Sequence, residues 1–367
     1  MNDRLHRLSS EFGQSPWLDN LQRSFITSGK LLALIESGVR GLTSNPTIFQ
    51  KAIQGSSDYD DQFLDLLKRG SEVRDIYWEL VVADIEGALE LFAPLYESSD
   101  GRDGFVSVEV DPSLAHDTSA TLAAARELHE RISRPNVMIK IPATKEGLPA
   151  IRAMIAEGRN VNVTLIFSVE RYSEVMNAYI EGLEERAKRG LPLVGIQSVA
   201  SFFISRVDNE IDKLLLALNS ETARQLMGTS AINQARIAYA EFEQTFNSDR
   251  WRQLANLGAS VQRPLWASTS TKNPSYPDTL YVDELIGKHT VNTLPESTLD
   301  AFIDHGTLGT TISQDVEKSR SQWQQLGDLG IDTAAIAHQL EHEGVSSFIA
   351  SFNDLIGALD TKRASAT

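Results

Sequence analysis

The chain contains no cysteine, which excludes a disulfide framework, a thiolate nucleophile and any cysteine-ligated metal. It also lacks a long hydrophobic run. Every apolar stretch is broken by charge well short of the roughly 20 residues that a membrane-spanning helix needs. The opening MNDRLHRLSSEFG carries acidic residues and no apolar h-region, so it does not read as a signal peptide, and a cytoplasmic location is expected. Positive charge is in deficit: 34 lysines and arginines face 50 acidic residues, for a net charge of -16. That balance argues against nucleic acid or an anionic membrane as the main partner, and any phosphate site must be a local basic pocket. No Pro/Ser-rich linker, low-complexity tract or internal repeat divides the 367 residues, and a single domain over 1–367 is expected.

Eight short β-rich runs alternate with long helical patterns: SPWLDNL (15 to 21), RGLTSNP (40 to 46), FVSVEVD (105 to 111), VMIKIPA (137 to 143), VNVTLIF (161 to 167), QSVASFFIS (197 to 205), RPLWAST (263 to 269) and HTVNTLP (289 to 295). Between them, Val73, Ile76, Leu80, Ile85, Leu89 and Phe92 recur at helical spacing. Tyr172, Val175, Tyr179 and Leu183 do the same, with Gly190 as a stop. Such alternation implies a parallel sheet. An open doubly wound sheet would make its central strands apolar on both faces. Here Val106, Val108 and Val110 alternate with Ser107, Glu109 and Asp111, and Val161, Val163 and Leu165 alternate with Asn160, Asn162 and Thr164. One face is apolar and suits a ring of helices; the other turns polar toward a C-terminal mouth. The expected fold is therefore α/β, a single (β/α)8 TIM barrel with additional helices at about 206–260, after the sixth strand, and at about 296–362.

On that barrel the inward polar positions are Asp19, Asn45, Glu109, Lys140, Asn162, Thr164 and Ser201. Lys140 is the least ordinary, because Met138, Lys140 and Pro142 share one side of an otherwise apolar strand. A strand-end lysine often only reaches for solvent. A lysine facing a cavity lined by Glu, Asp, Asn and Thr is instead suited to act as an amine nucleophile. At pH 7 an ordinary lysine is neutral in only roughly one molecule in 2,500, so attack on a carbonyl requires burial to favour the free amine. A directly paired Glu109 would oppose this as a structural ion pair, so Glu109 is expected to act through an intervening water as general acid or base.

The motifs GLTSNPTIF, VSVEVDP, KIPATKEG, NVNVTLIFS and VASFFISRVD, in that order on successive strands, resemble those of the transaldolase family over about residues 15 to 295. The insert after the sixth strand and SYPDTLYVDELIG resemble its longer-chain subgroup. The resemblance implies transfer of a dihydroxyacetone unit between sugar phosphates through a lysine Schiff base, in the non-oxidative pentose phosphate pathway. No metal or cofactor is required, because the iminium is itself the electron sink. Lys140 would form the Schiff base, and Asp19 would move the proton of the hydroxyl beside the cleaved bond. Glu109 and Thr164 would hold the catalytic water, and Asn45 and Asn162 would bind hydroxyls of the three-carbon unit. Ser201 and Arg206 would line the sugar and phosphate end. Phe203 would shape the sugar pocket, and together with Glu109 it favours transfer over simple aldol cleavage.

The chain departs from the family at the seventh strand, where WASTSTKNP stands in place of a Ser-Phe-Arg segment. Lys272 would then supply the second phosphate cation, with Ser268 or Ser270 as its hydroxyl partner. A homodimer is compatible with the sequence, although no exposed apolar stripe marks an interface. Competing readings are an aldolase releasing free dihydroxyacetone and a non-catalytic sugar-phosphate-binding barrel. HQLEH at 338 to 342 has the spacing of a zinc motif but falls in a late amphipathic helix, expected to lie away from the polar strand ends.

Overall fold

The computed structural model describes residues 3–366. Its eight strands are β1 (Gln14–Leu18), β2 (Gly41–Thr43), β3 (Phe105–Glu109), β4 (Val137–Pro142), β5 (Val161–Ile166), β6 (Ser198–Phe203), β7 (Gln262–Ala267) and β8 (Thr290–Leu294). They pair in parallel in chain order, and β8 closes on β1. Each β-rich run of the sequence supplies one strand. The β-branched residues on the outer face of β3, β4 and β5 are shielded by the helix ring: Val106, Val137, Ile139, Ile141, Val161 and Val163 have no exposed surface. Each such burial stabilises the fold by roughly 1.5–3 kcal/mol. β4 ends at Pro142, which has no N–H to extend the ladder. Gly190, at φ +70°, follows the Val169–Lys188 helix in a conformation that favours glycine.

Two features depart from strict alternation. The register of β5 against β6 shifts between Val163 and Ile166, and Leu165 sits at φ +61°. This bulge turns Leu165, expected on the outer apolar face, toward the long C-terminal helix Thr333–Ala366. There it packs on Gly344, where an added Cβ would come within 2.9 Å of the Leu165 Cδ2. The C-terminal helix also does not lie away from the strand ends, because its Ser347 and Phe348 line the cavity at the barrel's C-terminal mouth. Among the described residues, no group of three His, Cys, Asp or Glu side chains is arranged to hold a metal ion.

The stretch after β6 forms four helices, Ser205–Leu218, Glu221–Leu226, Ser230–Phe246 and Asp249–Ala255. Two buried or half-buried acids clamp it. Asp208 accepts from the Ala231 N–H at 2.6 Å and the Tyr281 hydroxyl at 2.8 Å; Asp212 accepts from the Gly228 N–H at 3.0 Å and the Tyr276 hydroxyl at 2.6 Å. The insert is thereby tied to SYPDTLYVDELIG, the segment between β7 and β8. Burial pushes the Asp208 carboxyl up to about 7; the Ala231 and Tyr281 hydrogen bonds pull it back and the Asp212 charge adds to the rise. A carboxyl raised in the folded state stabilises the fold below its unfolded pKa of about 4, and that contribution is lost as pH rises toward 7. Asp208→Asn should therefore gain stability relative to the parent as pH rises from about 4 to 7. Thermal melts of both proteins across that range would show it; a constant difference in Tm would contradict the linkage.

At the opposite, N-terminal end of the barrel, one carboxylate gathers several elements. Asp103, just before β3, lies 2.6 Å from Arg40 and 3.3 Å from Arg263 of β7, and accepts from the Ser15 hydroxyl of β1 at 2.7 Å. A cavity of about 680 Å³ lies over this cluster. Although larger than the cavity at the other mouth, it contains none of the inward polar residues singled out from sequence. Two of its arginines are already occupied by Asp103, and this face of such barrels generally serves stability.

Candidate active site

A cavity of about 460 Å³ opens at the C-terminal mouth, where parity directs the inward polar side chains. Asp19, Asn45, Lys140, Thr164 and Ser201 all line it. So do Phe203, Arg206, Ser268, Ser270 and Lys272. Lys140 is 4% exposed and donates to the Ser44 carbonyl at 3.2 Å. The Phe348 ring centroid lies 5.8 Å from its Nζ.

Lys140 Nζ is 3.3 Å from Glu109 Oε2. This corrects the expectation of a water between them, since a separation that short leaves no room for one on the line joining the two groups. The cause is register. Glu109 and Lys140 are directly paired positions on β3 and β4, so inward side chains of the two strands meet side by side. The contact is nevertheless incomplete as a hydrogen bond. Both Glu109 oxygens are buried with no hydrogen-bond partner among the described residues, and so is Thr164 Oγ1. Burial pushes the Glu109 carboxyl up, and the nearby lysine only partly offsets this. Burial thus works against Glu109 serving as a permanently charged counter-ion of Lys140. Thr164 lines the cavity, whereas Glu109, like Asn162, is not among the residues that do.

Asp19 follows β1 directly and accepts from Thr43 Oγ1 at 2.7 Å; that hydroxyl lies 2.6 Å from Thr293 Oγ1. Burial raises the Asp19 pKa against the opposing pull of Lys140, the Thr43 hydrogen bond and Arg206. Asn45 caps the Pro46–Gln54 helix, its side-chain oxygen accepting from the Ile48 N–H at 3.0 Å. That fixes the oxygen and leaves the amide nitrogen as the group free to donate.

Asn162 is placed differently from expectation. It is fully buried beneath the cavity, donating to Ser107 Oγ at 3.0 Å and accepting from Ser201 Oγ at 2.7 Å. It is not among the residues that line the cavity, because its position on β5 lies level with Lys140 while the wall above is completed by Thr164. Its amide orients Ser201, whose own hydroxyl reaches the mouth.

Arg206 lies in the first turn of the Ser205–Leu218 helix, immediately after β6. Its guanidinium stands 5.2 Å from the Phe203 ring centroid, and Phe203 in turn packs on Phe167 at 5.0 Å. No hydrogen bond from the described residues engages it, and burial lowers its pKa against the pull of Asp19 and Glu343. A desolvated, unpaired guanidinium at a helix N-terminus is suited to an oxyanion such as phosphate. Ser268, at φ +56°, places its hydroxyl 2.9 Å from Ser205 Oγ at the start of the same helix. Lys272 donates to Ser270 Oγ at 2.7 Å and is otherwise exposed.

Sequence reading missed several lining residues. Lys51 shares a face of the Pro46–Gln54 helix with Thr47 and Ile48 and adds a fourth basic side chain to the lining, beside Lys140, Arg206 and Lys272. The helical spacing downstream of TSNP would have found it. Ser347 and Phe348 carried no comparable signal, because their position depends on where a distant helix docks.

A family model described as transaldolase/fructose-6-phosphate aldolase matches residues 16–359. Transaldolase 1 of Streptomyces avermitilis is 50% identical over 361 residues, covering 98% of this chain and 95% of the relative. The transaldolase of Mycobacterium tuberculosis is 50% identical over 358 residues, covering 97% and 96% respectively. With family and relatives agreeing along nearly the whole length, the chain belongs to the transaldolase/fructose-6-phosphate aldolase family.

Proposed function

We propose that the chain is a metal-independent transaldolase, acting in the cytoplasm as one barrel domain, which moves a dihydroxyacetone unit from a ketose phosphate to an aldose phosphate. The carrying observation is the buried Lys140 amine beside a Glu109 carboxyl whose oxygens have no hydrogen-bond partner among the described residues. In this reading the amine adds to the ketone carbon. Glu109 gives a proton as the carbinolamine loses water, and an iminium remains. Asp19 takes the proton of the hydroxyl two carbons from the iminium carbon, that oxygen becomes the aldehyde of the departing aldose as the intervening carbon–carbon bond breaks, and the bond's electron pair enters the iminium to give an enamine. The aldose phosphate leaves. A second aldehyde is attacked by the enamine carbon, Asp19 returns the proton, and water added at the iminium frees the amine. Arg206 holds the phosphate, with Lys272 and Lys51 as exposed cations at the rim.

Borohydride added with fructose 6-phosphate should reduce the iminium and leave a stable adduct on Lys140, readable by peptide mass mapping. An unlabelled Lys140 during turnover would overturn the proposal.

A further inference from the structure

We propose that Phe348, on the C-terminal helix, determines whether the enamine is transferred or hydrolysed by shielding the Lys140 nitrogen from bulk water. The inference rests on the Schiff-base reading above and assigns a role to a residue outside the barrel strands.

The ring is 4% exposed, lines the catalytic cavity and has its centroid 5.8 Å from Lys140 Nζ. It is held there by a fixed helix. Phe352, one turn on, packs edge-to-face on Tyr77 at 4.9 Å, and Ser351 Oγ lies 2.8 Å from Thr47 Oγ1 of the helix capped by Asn45. One turn before, Gly344 allows the helix to approach Leu165 and the Arg206 guanidinium, with 3.6 Å between its ideal Cβ position and Arg206 Nη1. Positions 344, 348, 351 and 352 thus form one packed helix face, of which Phe348 is the member that lines the cavity.

After the first aldose phosphate leaves, the enamine has two fates. It can attack a second aldehyde through carbon. Alternatively, that carbon takes a proton to give an iminium, a water adds to the iminium carbon, the carbon–nitrogen bond breaks, and free dihydroxyacetone leaves with the lysine amine restored. The second path consumes one water and needs a proton delivered to carbon. On the polar side, the oxygens of Glu109 and Thr164 have no hydrogen-bond partner among the described residues, which suits them to hold the one water that Schiff-base chemistry needs. An apolar ring on the other side excludes water that transfer does not need.

The test compares two activities of one enzyme: transfer from fructose 6-phosphate to an added aldose phosphate, and release of free dihydroxyacetone with no acceptor. Phe348→Ala should raise the ratio of release to transfer by about tenfold, with Phe348→Leu intermediate. Borohydride should still label Lys140 in both variants. An unchanged ratio with labelling intact would sink the role of Phe348 while leaving the Schiff base standing. Failure of the parent enzyme to label would instead remove the reading beneath it. Leucine preserves apolar bulk, so if the alanine variant loses its melting transition the leucine variant decides the matter: a raised ratio supports the inference and an unchanged one overturns it.

Discussion

Lys140→Arg is expected to lower kcat by about 10⁴-fold or more while leaving the fold intact, because it removes the nucleophile and keeps the charge. Arginine retains a cation beside Glu109, so no buried carboxylate is abandoned, and the open cavity above the site gives the longer side chain room. A guanidinium does not give up its proton in a protein and forms no Schiff base. The substitution therefore separates the two readings of the Lys140–Glu109 contact. If the pair is structural, arginine should preserve both melting temperature and activity. If it is chemical, melting should change little while turnover and borohydride labelling vanish. Retention of more than about a tenth of kcat would exclude lysine as the covalent centre, since loss of a nucleophile costs orders of magnitude more than that.

Asp19→Asn should have the next largest effect, a fall of about 10²–10⁴-fold in kcat, the usual range for a positioned proton-transfer group. Its pH behaviour has a defined sign. Asp19 must be ionised to take the hydroxyl proton, and burial raises its pKa, so activity should fall as pH drops through a value above the ordinary aspartate range. Glu109 is raised for the same reason and lies in the same site, so the limb belongs to the coupled pair and should change shape in the variant. Stability should move the opposite way. A carboxyl raised by burial contributes stability below its unfolded pKa and loses it as pH rises through the folded value. A neutral amide at this position is free of that loss, so the variant should melt higher at neutral pH even as it loses turnover. A pH–rate profile set beside thermal melts would test both, and an Asp19→Asn protein less stable at neutral pH would contradict the burial argument.

The strands were readable because a barrel strand is a local object: period-two alternation and valine-rich outer faces are visible in five or six residues. The same parity placed Asp19, Asn45, Lys140, Thr164 and Ser201 at one mouth before any distance was known. Register was not readable. Nothing within VSVEV or VMIKIP states that Glu109 stands opposite Lys140, because that depends on the stagger of one strand against the next. Asn162 shows the depth problem: alternation gives the side of the sheet that a residue faces but not the layer in which it lies. The turn at Leu165 was hidden because an αL leucine is locally unfavourable and is compensated by packing on Gly344, nearly 180 residues away in the chain. The C-terminal helix advertised an apolar face without naming the surface that face would cover.

The cluster around Asp103 bears on the order in which the barrel assembles. Its members Ser15 and Arg263 are 248 positions apart, and Arg263 and Asp103 are 160 apart, so the contacts arise only after the first three strands meet the seventh. Loop-closure entropy must already have been overcome by then, and interactions formed after the transition state slow escape from the native state without hastening arrival. Loss of Asp103 should accordingly appear in the unfolding arm of a chevron rather than the refolding arm. The N-terminal end of the barrel is thus expected to act as a kinetic latch, governing how long the folded chain persists.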